Sequence, residues 1–287
     1  MDILHHSAIG FIGFSVAVAN DQTMAGLFFL IGNVVPDLDA LLVLFGRSFY
    51  LKNHQGFSHS LFLAPLFALL ILTISLLFTP FSWVNFMALM LGFFTHSFLD
   101  YLNSYGIMLF YPLIKKRYAL DSVFFIDATL LLLTATMLYF EYSIWLYFGL
   151  YLLYIVFKIL IHKVVVKQLK VDFAIPSALN PFDFYIYNKE NEKIETYSYN
   201  LLLNKKRNQT VQENLNKKFS HLTEKSQLFN DIRQVTKALH ICKVEESENE
   251  TIIVAKDLAV RNFGAKFATT TVKFNKKGEL IYEHSNI

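Results

Sequence analysis

The first 161 residues are a succession of apolar runs, and a helix that crosses the hydrocarbon of a bilayer needs about 20 apolar residues. Residues 61 to 79 ("LFLAPLFALLILTISLLFT"), 83 to 102, 123 to 140 and 144 to 161 meet or nearly meet that length, and residues 24 to 45 do so apart from a polar interruption. The run 8 to 19 is too short alone; it either extends back through His5 and His6 or re-enters. The expected fold is an all-α polytopic membrane domain, a helical bundle of about five to six membrane segments over residues 1 to 161, then a small α+β soluble domain over 162 to 287.

Charge divides the chain at the same place. Residues 1 to 161 hold 6 Lys/Arg and 8 Asp/Glu, and the remaining 20 and 15 lie in residues 162 to 287. The chain is 54% hydrophobic and 17% charged, which is membrane-like composition, and no nucleic-acid partner is expected. The single cysteine, Cys242, rules out an internal disulfide framework and fits a reducing compartment. "AIGFIGFSVAVA" (8 to 19) has the look of a signal-peptide core, but the preceding "MDILHH" lacks the basic residues such signals carry.

Basic residues set the expected orientation. Arg47 and Lys52, then Lys115, Lys116 and Arg117, then Lys163, Lys167 and Lys170 fall in alternate connections, with hairpins at "PFSW" and "EYS" on the other side. The positive-inside rule makes the basic side cytoplasmic and the soluble tail with it. In the tail, strand-like runs flank a polar "NKENEK" turn, a helical stretch is expected over roughly 204 to 243, and "ETIIVAKDLAVRNF" and "KFATTTVKFNKKGELIYEH" read as strands.

Against this apolar background a few polar residues stand out: His5 and His6; Asp37 and Asp39 beside Pro36; His54, Ser58, His59 and Ser60 in "HQGFSHS"; His96 and Asp100; and Asp127. An ionised side chain at the bilayer centre costs about 2.5 to 3.5 kcal/mol, so such residues need a partner or a function. Cations are scarce, with Lys158 assigned to the tail end of the last span, whereas one divalent metal would satisfy several carboxylates and imidazoles together. His96 and Asp100 are spaced i, i+4 on one helical face, and Pro36 lets a bent segment present both aspartates. The expected orientation also brings His and Asp from four or five segments to one membrane level.

Each residue has a plainer reading. Asp127 can cap a helix, Asp100 can be satisfied by Tyr101, Asn103 or Ser104, and His5 and His6 can anchor at the interface. Ser58 and Ser60 read as caps, and Asp2, Asp21 and Asp121 as surface residues.

An N-terminal His, "PDLD", "HQGFSHS", "HSFLD" and "NSYG...YP...KRYALDSVFFID" together resemble the YdjM-like family of bacterial inner-membrane proteins, described as membrane-bound metal-dependent hydrolases. The resemblance runs from residue 1 to about 130, and "P...LNPFDFY...YSYNLL" resembles the C-terminal part of longer members. The family pattern is H-R-G-x-x-H-S; here Gln55 replaces the Arg, so an anion-binding role there does not carry over. A more distant similarity to zinc-dependent phospholipases C and nucleases implies phosphodiester chemistry.

The resulting expectation is a metal-dependent hydrolase acting at the cytoplasmic lipid interface on a phosphoester or lipid-like substrate, with a divalent metal such as zinc as cofactor. Its metal ligands come from His6, Asp37, Asp39, His54, His59, His96 and Asp100, and Asp37, Asp100 and His59 serve catalysis. Arg47, Ser58, Lys116 and Arg117 are the candidate substrate-binding residues, and His5 and Asp127 support the ligands. The rival readings are a metal-stabilised scaffold whose tail binds a protein partner, as the LexA-binding description of some relatives implies, and a transporter. Transport would need polar residues through both leaflets, and residues 61 to 79 and 144 to 157 hold almost none.

Overall fold

The computed structural model describes residues 2–140, 142–190, 192–258 and 268–286. Its first part is helical. α1 (Ile3–Val18) opens on Asp2, whose carboxylate accepts from the His5 backbone N–H, and α2 (Thr23–Val34) follows. At Pro36 the missing N–H ends the α-helical ladder, and the chain continues as a 3-10 helix over Val35–Phe45. Next come α3 (Arg47–Asn53), a 3-10 turn at Phe57–His59, α4 (Ala64–Ser75), α5 (Trp83–Tyr101), α6 (Ala128–Phe140) and α7 (Ile144–Leu169).

Two of these stretches, Thr23–Phe45 and Ile144–Leu169, are long and apolar enough to cross a membrane; Arg47–His59 with Ala64–Ser75, bent by 82°, would make a third, broken span. The expected five to six segments are therefore corrected to two or three among the described residues. The apolar runs are real, but the helices in them are short. α6 starts only at Ala128, where Asp127 accepts from the Thr129 and Leu130 N–H groups, and α5 carries Asn85, His96, Ser97 and Asp100. Many large apolar side chains still face outward, such as Phe78 at 86% and Trp145 at 82% exposure, which suits lipid.

The chain forms two compact units. One comprises Met1–Leu44, Asn53–Lys163 and Pro176–Pro181; the other comprises Phe45–Lys52, Val164–Ile175 and Phe182–Ile287. α3 folds with the C-terminal unit, and Pro176–Pro181 with the helical one.

Within the helical unit α2 packs on both α1 and α5. The α2–α5 crossing is set by Gly32 and Gly92: a Cβ built on Gly32 would lie 2.4 Å from the Leu89 carbonyl, and one on Gly92 2.4 Å from the Phe29 carbonyl. Only glycines let the backbones approach so closely. Phe28, Ala68, Leu72, Leu89 and Phe93 fill the core beside this crossing, and Ile12, Leu99, Leu130 and Tyr151 fill a second core among α1, α5, α6 and α7.

The C-terminal unit holds two four-stranded sheets, in the orders β1-β2-β3-β4 and β5-β6-β7-β8. The strands are β1 (Phe173–Pro176), β2 (Asp183–Lys189), β3 (Lys193–Asn200), β4 (Lys205–Glu213), β5 (Leu239–Glu246), β6 (Glu250–Asp257), β7 (Thr269–Asn275) and β8 (Leu280–Ser285). Short helices α8 (Leu215–Lys218), α9 (Ser220–Thr223) and α10 (Gln227–Val235) connect the sheets. The helix expected over 204 to 243 is thus mostly strand at both ends: Lys205–Glu213 pairs antiparallel with β3, and Leu239–Glu246 with β6. Residues 259 to 263 of "ETIIVAKDLAVRNF" lie outside the described residues. α10 buries Leu228, Phe229 and Ile232 against Ile241, Ile253, Val272 and Phe274, and Leu51 of α3 joins that core.

Candidate metal centre

Because Gly32 and Gly92 seat α2 against α5, Asn33 comes beside His96 one helical turn beyond the contact. The Asn33 carbonyl accepts from His96 Nδ1 at 2.7 Å. A carbonyl cannot donate, so Nδ1 carries the imidazole proton and Nε2 presents a lone pair. Asp100, one turn further along α5, lies on the same face, and both side chains are fully buried.

His59 reaches the same point from the 3-10 turn. Its Nδ1 lies 2.9 Å from Ser58 Oγ, and Ser58 Oγ donates its one hydrogen to Asp39 Oδ2 at 2.5 Å. The hydroxyl can only accept from His59, which leaves His59 Nε2 as a second lone pair. The two Nε2 atoms are 2.9 Å apart. Two lone pairs at that distance repel unless a cation lies between them.

Two carboxylates complete the set. Asp100 Oδ2 is 3.1 Å from His59 Nε2 and 3.7 Å from His96 Nε2; Asp37 Oδ1 is 3.5 Å from His96 Nε2 and 3.9 Å from His59 Nε2. All four ligand atoms lie within 4.8 Å of one another. Donors about 2.0 to 2.1 Å from one tetrahedral ion are about 3.3 Å apart and at most about 4.2 Å apart, so the His–His and His–Asp separations bracket such a cage and the widest pair would have to close in around an ion. Asp37 is the loosest member and the one not fully buried, and its Oδ2 has no hydrogen-bond partner among the described residues.

Other residues named from the sequence surround this set. Asp39 is already satisfied, accepting from Ser58, the Gln55 backbone N–H at 2.9 Å and His54 Nδ1 at 2.6 Å, so it fixes the His59 loop. His6 Nε2 is 3.2 Å from Asp100 Oδ1, and its ring stacks on His96 at 3.8 Å. His5 Nε2 lies 2.7 Å from the Tyr151 hydroxyl, which ties α1 to α7. Arg117 donates to the carbonyls of His54 (2.7 Å) and Gly106 (3.2 Å), holding that loop, while Lys116 lies over the Tyr118 ring. Arg47 belongs to the C-terminal unit, where its guanidinium is 3.4 Å from His284 Nδ1.

Asp127 stands apart. It caps α6, accepts from the Tyr154 hydroxyl at 3.0 and 3.2 Å, and lies 3.7 Å from Lys158 Nζ. The sequence reading set Lys158 aside as the end of a span, yet this buried cation is the partner of that carboxylate.

Three contributors were not foreseen. The Asn33 carbonyl is a backbone group with no signature in side-chain patterns. Gln55 donates from Nε2 to Asp100 Oδ2 at 3.2 Å, so the amide standing where the family pattern has arginine supports a ligand. Tyr151 anchors the helix that carries His6. The i, i+4 spacing of Tyr147, Tyr151 and Ile155 could have marked that face of α7.

The fold and the site define a helical membrane protein with a buried two-histidine, two-aspartate cluster. The chain belongs to the YdjM inner membrane protein family, whose model matches residues 1–165. It is also 33% identical over 113 residues to the uncharacterized protein YfhP of Bacillus subtilis (strain 168). That alignment covers 37% of this chain and 34% of the relative, so the chain spans about a third of the length of the curated protein it matches. No solved structure matches it.

Proposed function

We propose that the cluster holds one divalent metal ion and serves a hydrolase that cleaves a phosphoester or lipid-like substrate at the cytoplasmic face of the inner membrane. The observation that carries the metal is the pair of imidazole lone pairs 2.9 Å apart, flanked by two carboxylates. Asp37, His59, His96 and Asp100 would be the ligands, and a set of two imidazoles and two carboxylates suits zinc. Such an ion supplies a bound water of lowered pKa and polarises the scissile group.

The chain's own residues would do the rest. Asn33 and the Ser58–Asp39 pair fix the two imidazole tautomers, as hydrogen-bonded partners of metal ligands do in general. Asp37, the most loosely held ligand, is placed to take the proton of the attacking water through its unpartnered Oδ2. Asp100 is held on both oxygens, by His6 and Gln55, and stays in place while Asp37 moves. Lys116, next to the Arg117 that braces the His54 loop, is the cation we assign to the substrate's negative charge. The basic connections around residues 115 to 117 and 163 to 170 support the cytoplasmic orientation.

The test is a purified-protein assay. Metal analysis by mass spectrometry should find stoichiometric metal, and incubation with bacterial lipid extract should yield a product that neither metal-stripped protein nor Asp37→Asn makes. Protein that folds without metal and excludes it would sink the site.

One observation favours a second reading, a metal-stabilised scaffold whose tail binds a protein. Three of the four ligands are fully buried, and four protein ligands make a closed coordination set, as in structural zinc sites. Metal without turnover on any lipid or phosphoester, together with unfolding on chelation, would favour it.

A further inference from the structure

The C-terminal unit has a cleft of its own, about 670 Å³, between the end of β2, the α8–α9 turn and the end of α10. Lys189, Lys217, Arg233 and Lys237 line it, against one carboxylate, Glu190. Four cations converging on one concavity repel each other, and a cleft with walls of one sign concentrates anions from solution.

The walls are built. Arg233 is held by a hydrogen bond from Nη2 to Thr223 Oγ1 at 3.2 Å and by the Phe229 ring under its guanidinium at 4.9 Å, with Glu224 close enough to act on its charge. Lys237 lies over the Phe173 ring. Asn216 is spent on the β5 backbone, through Leu239 O and Ile241 N, and Asn214 on Glu190 O and Lys217 N. Burial pushes the Tyr187 hydroxyl up to about 12, so it stays neutral.

Lys189 and Lys217 are left as the cleft's available donors. The ammonium groups of Lys189 and Lys217 make no ion pair among the described residues. The lining is mixed, with Tyr187 and Leu239 contributing apolar surface beside the charged groups. A compact, multiply charged oxyanion would fit, and the volume is within the range of about 300 to 1,000 Å³ of small-molecule sites.

We infer that this cleft binds a phosphate ester or diphosphate group, either on a soluble molecule or as the headgroup of an anionic lipid. The site is independent of the metal centre, and its test removes the metal first.

The full chain, stripped with EDTA and reconstituted into phosphatidylcholine nanodiscs, is titrated calorimetrically with sodium pyrophosphate. One-to-one binding is expected, weakened about tenfold or more in Lys189→Gln/Lys217→Gln and restored in the Lys→Arg pair, because a tenfold loss corresponds to no more than a modest change in binding energy. Rising salt should weaken it in parallel. Lys189→Gln alone serves if the double variant does not fold. Undiminished wild-type affinity in discs containing phosphatidylglycerol and phosphatidic acid identifies a soluble ligand; wild-type binding blocked by those lipids identifies a headgroup. Equal pyrophosphate affinity in wild type and folded variants overturns the assignment. So does the absence of any response to pyrophosphate or to anionic discs.

Discussion

The helical unit buries carboxylates in two places and neutralises them in two ways. Asp127 meets a lysine, a tyrosine hydroxyl and two backbone N–H groups, and every one of these partners brings its own hydrogen. Asp37 and Asp100 meet two imidazoles whose protons are already committed elsewhere, to Asn33 and to Ser58. The first arrangement is complete as a protein structure; in the second Asp100 is also held by His6 and Gln55, and what is left unmatched is the pair of imidazole Nε2 atoms 2.9 Å apart, where a cation would fit. What distinguishes a structural acid from a ligand is therefore the direction of the hydrogen bonds one shell further out.

Four experiments bear on that contrast, beginning with the largest effect. His96→Ala or Asp100→Asn should take the metal content from about one ion per chain to none, since ligand loss removes most of the free energy of a protein metal site. Asp127→Asn should leave it unchanged, and metal lost equally from both would erase the distinction.

Next, Lys158→Met should lower stability by about 3 to 5 kcal/mol in detergent unfolding, because it strands a buried carboxylate, and combining it with Asp127→Asn should recover most of the loss. A single variant as stable as wild type would show that the pair is wet or unimportant. Ser58→Ala frees the His59 tautomer and should weaken metal about 10- to 100-fold in chelator competition, without abolishing it. Smallest is Gln55→Leu, which removes one neutral donor from Asp100 and should cost about 1 kcal/mol of metal affinity. A loss as large as that from Asp100→Asn would make Gln55 a ligand-level residue instead.

The four candidate ligands stood out because His96 and Asp100 repeat at i, i+4 and because His and Asp are rare in apolar runs. Their division of labour did not. His6, Asp39 and His54 carry the same chemical signal as the ligands, and only the hydrogen-bond directions separate them. Lys158 was misplaced because a run's composition does not tell which side of the helix a residue faces, and α7 turns Lys158 inward at 0% exposure. Segment number failed for a related reason: hydropathy measures how apolar a run is, while helix length depends on local breaks such as Pro36 and the Asp127 cap. In the tail, "KKRNQTVQE" is polar throughout and exposed along its whole length. It is a strand only because β3 offers it an edge, which is a tertiary cause no local pattern contains.

The membership of Phe45–Lys52 in the C-terminal unit fixes an order of events during synthesis. Leu51 finds its place with Phe219, Phe229 and Ile232, and Ser48 and Lys52 find Asp231. A ribosome adding about 5 to 20 residues per second makes those partners roughly 10 to 30 s after α3 has emerged. Over that interval α3 has no core to enter. The C-terminal unit consequently cannot be finished until nearly the whole chain exists, and a fragment starting after α7 would lack one of its own helices.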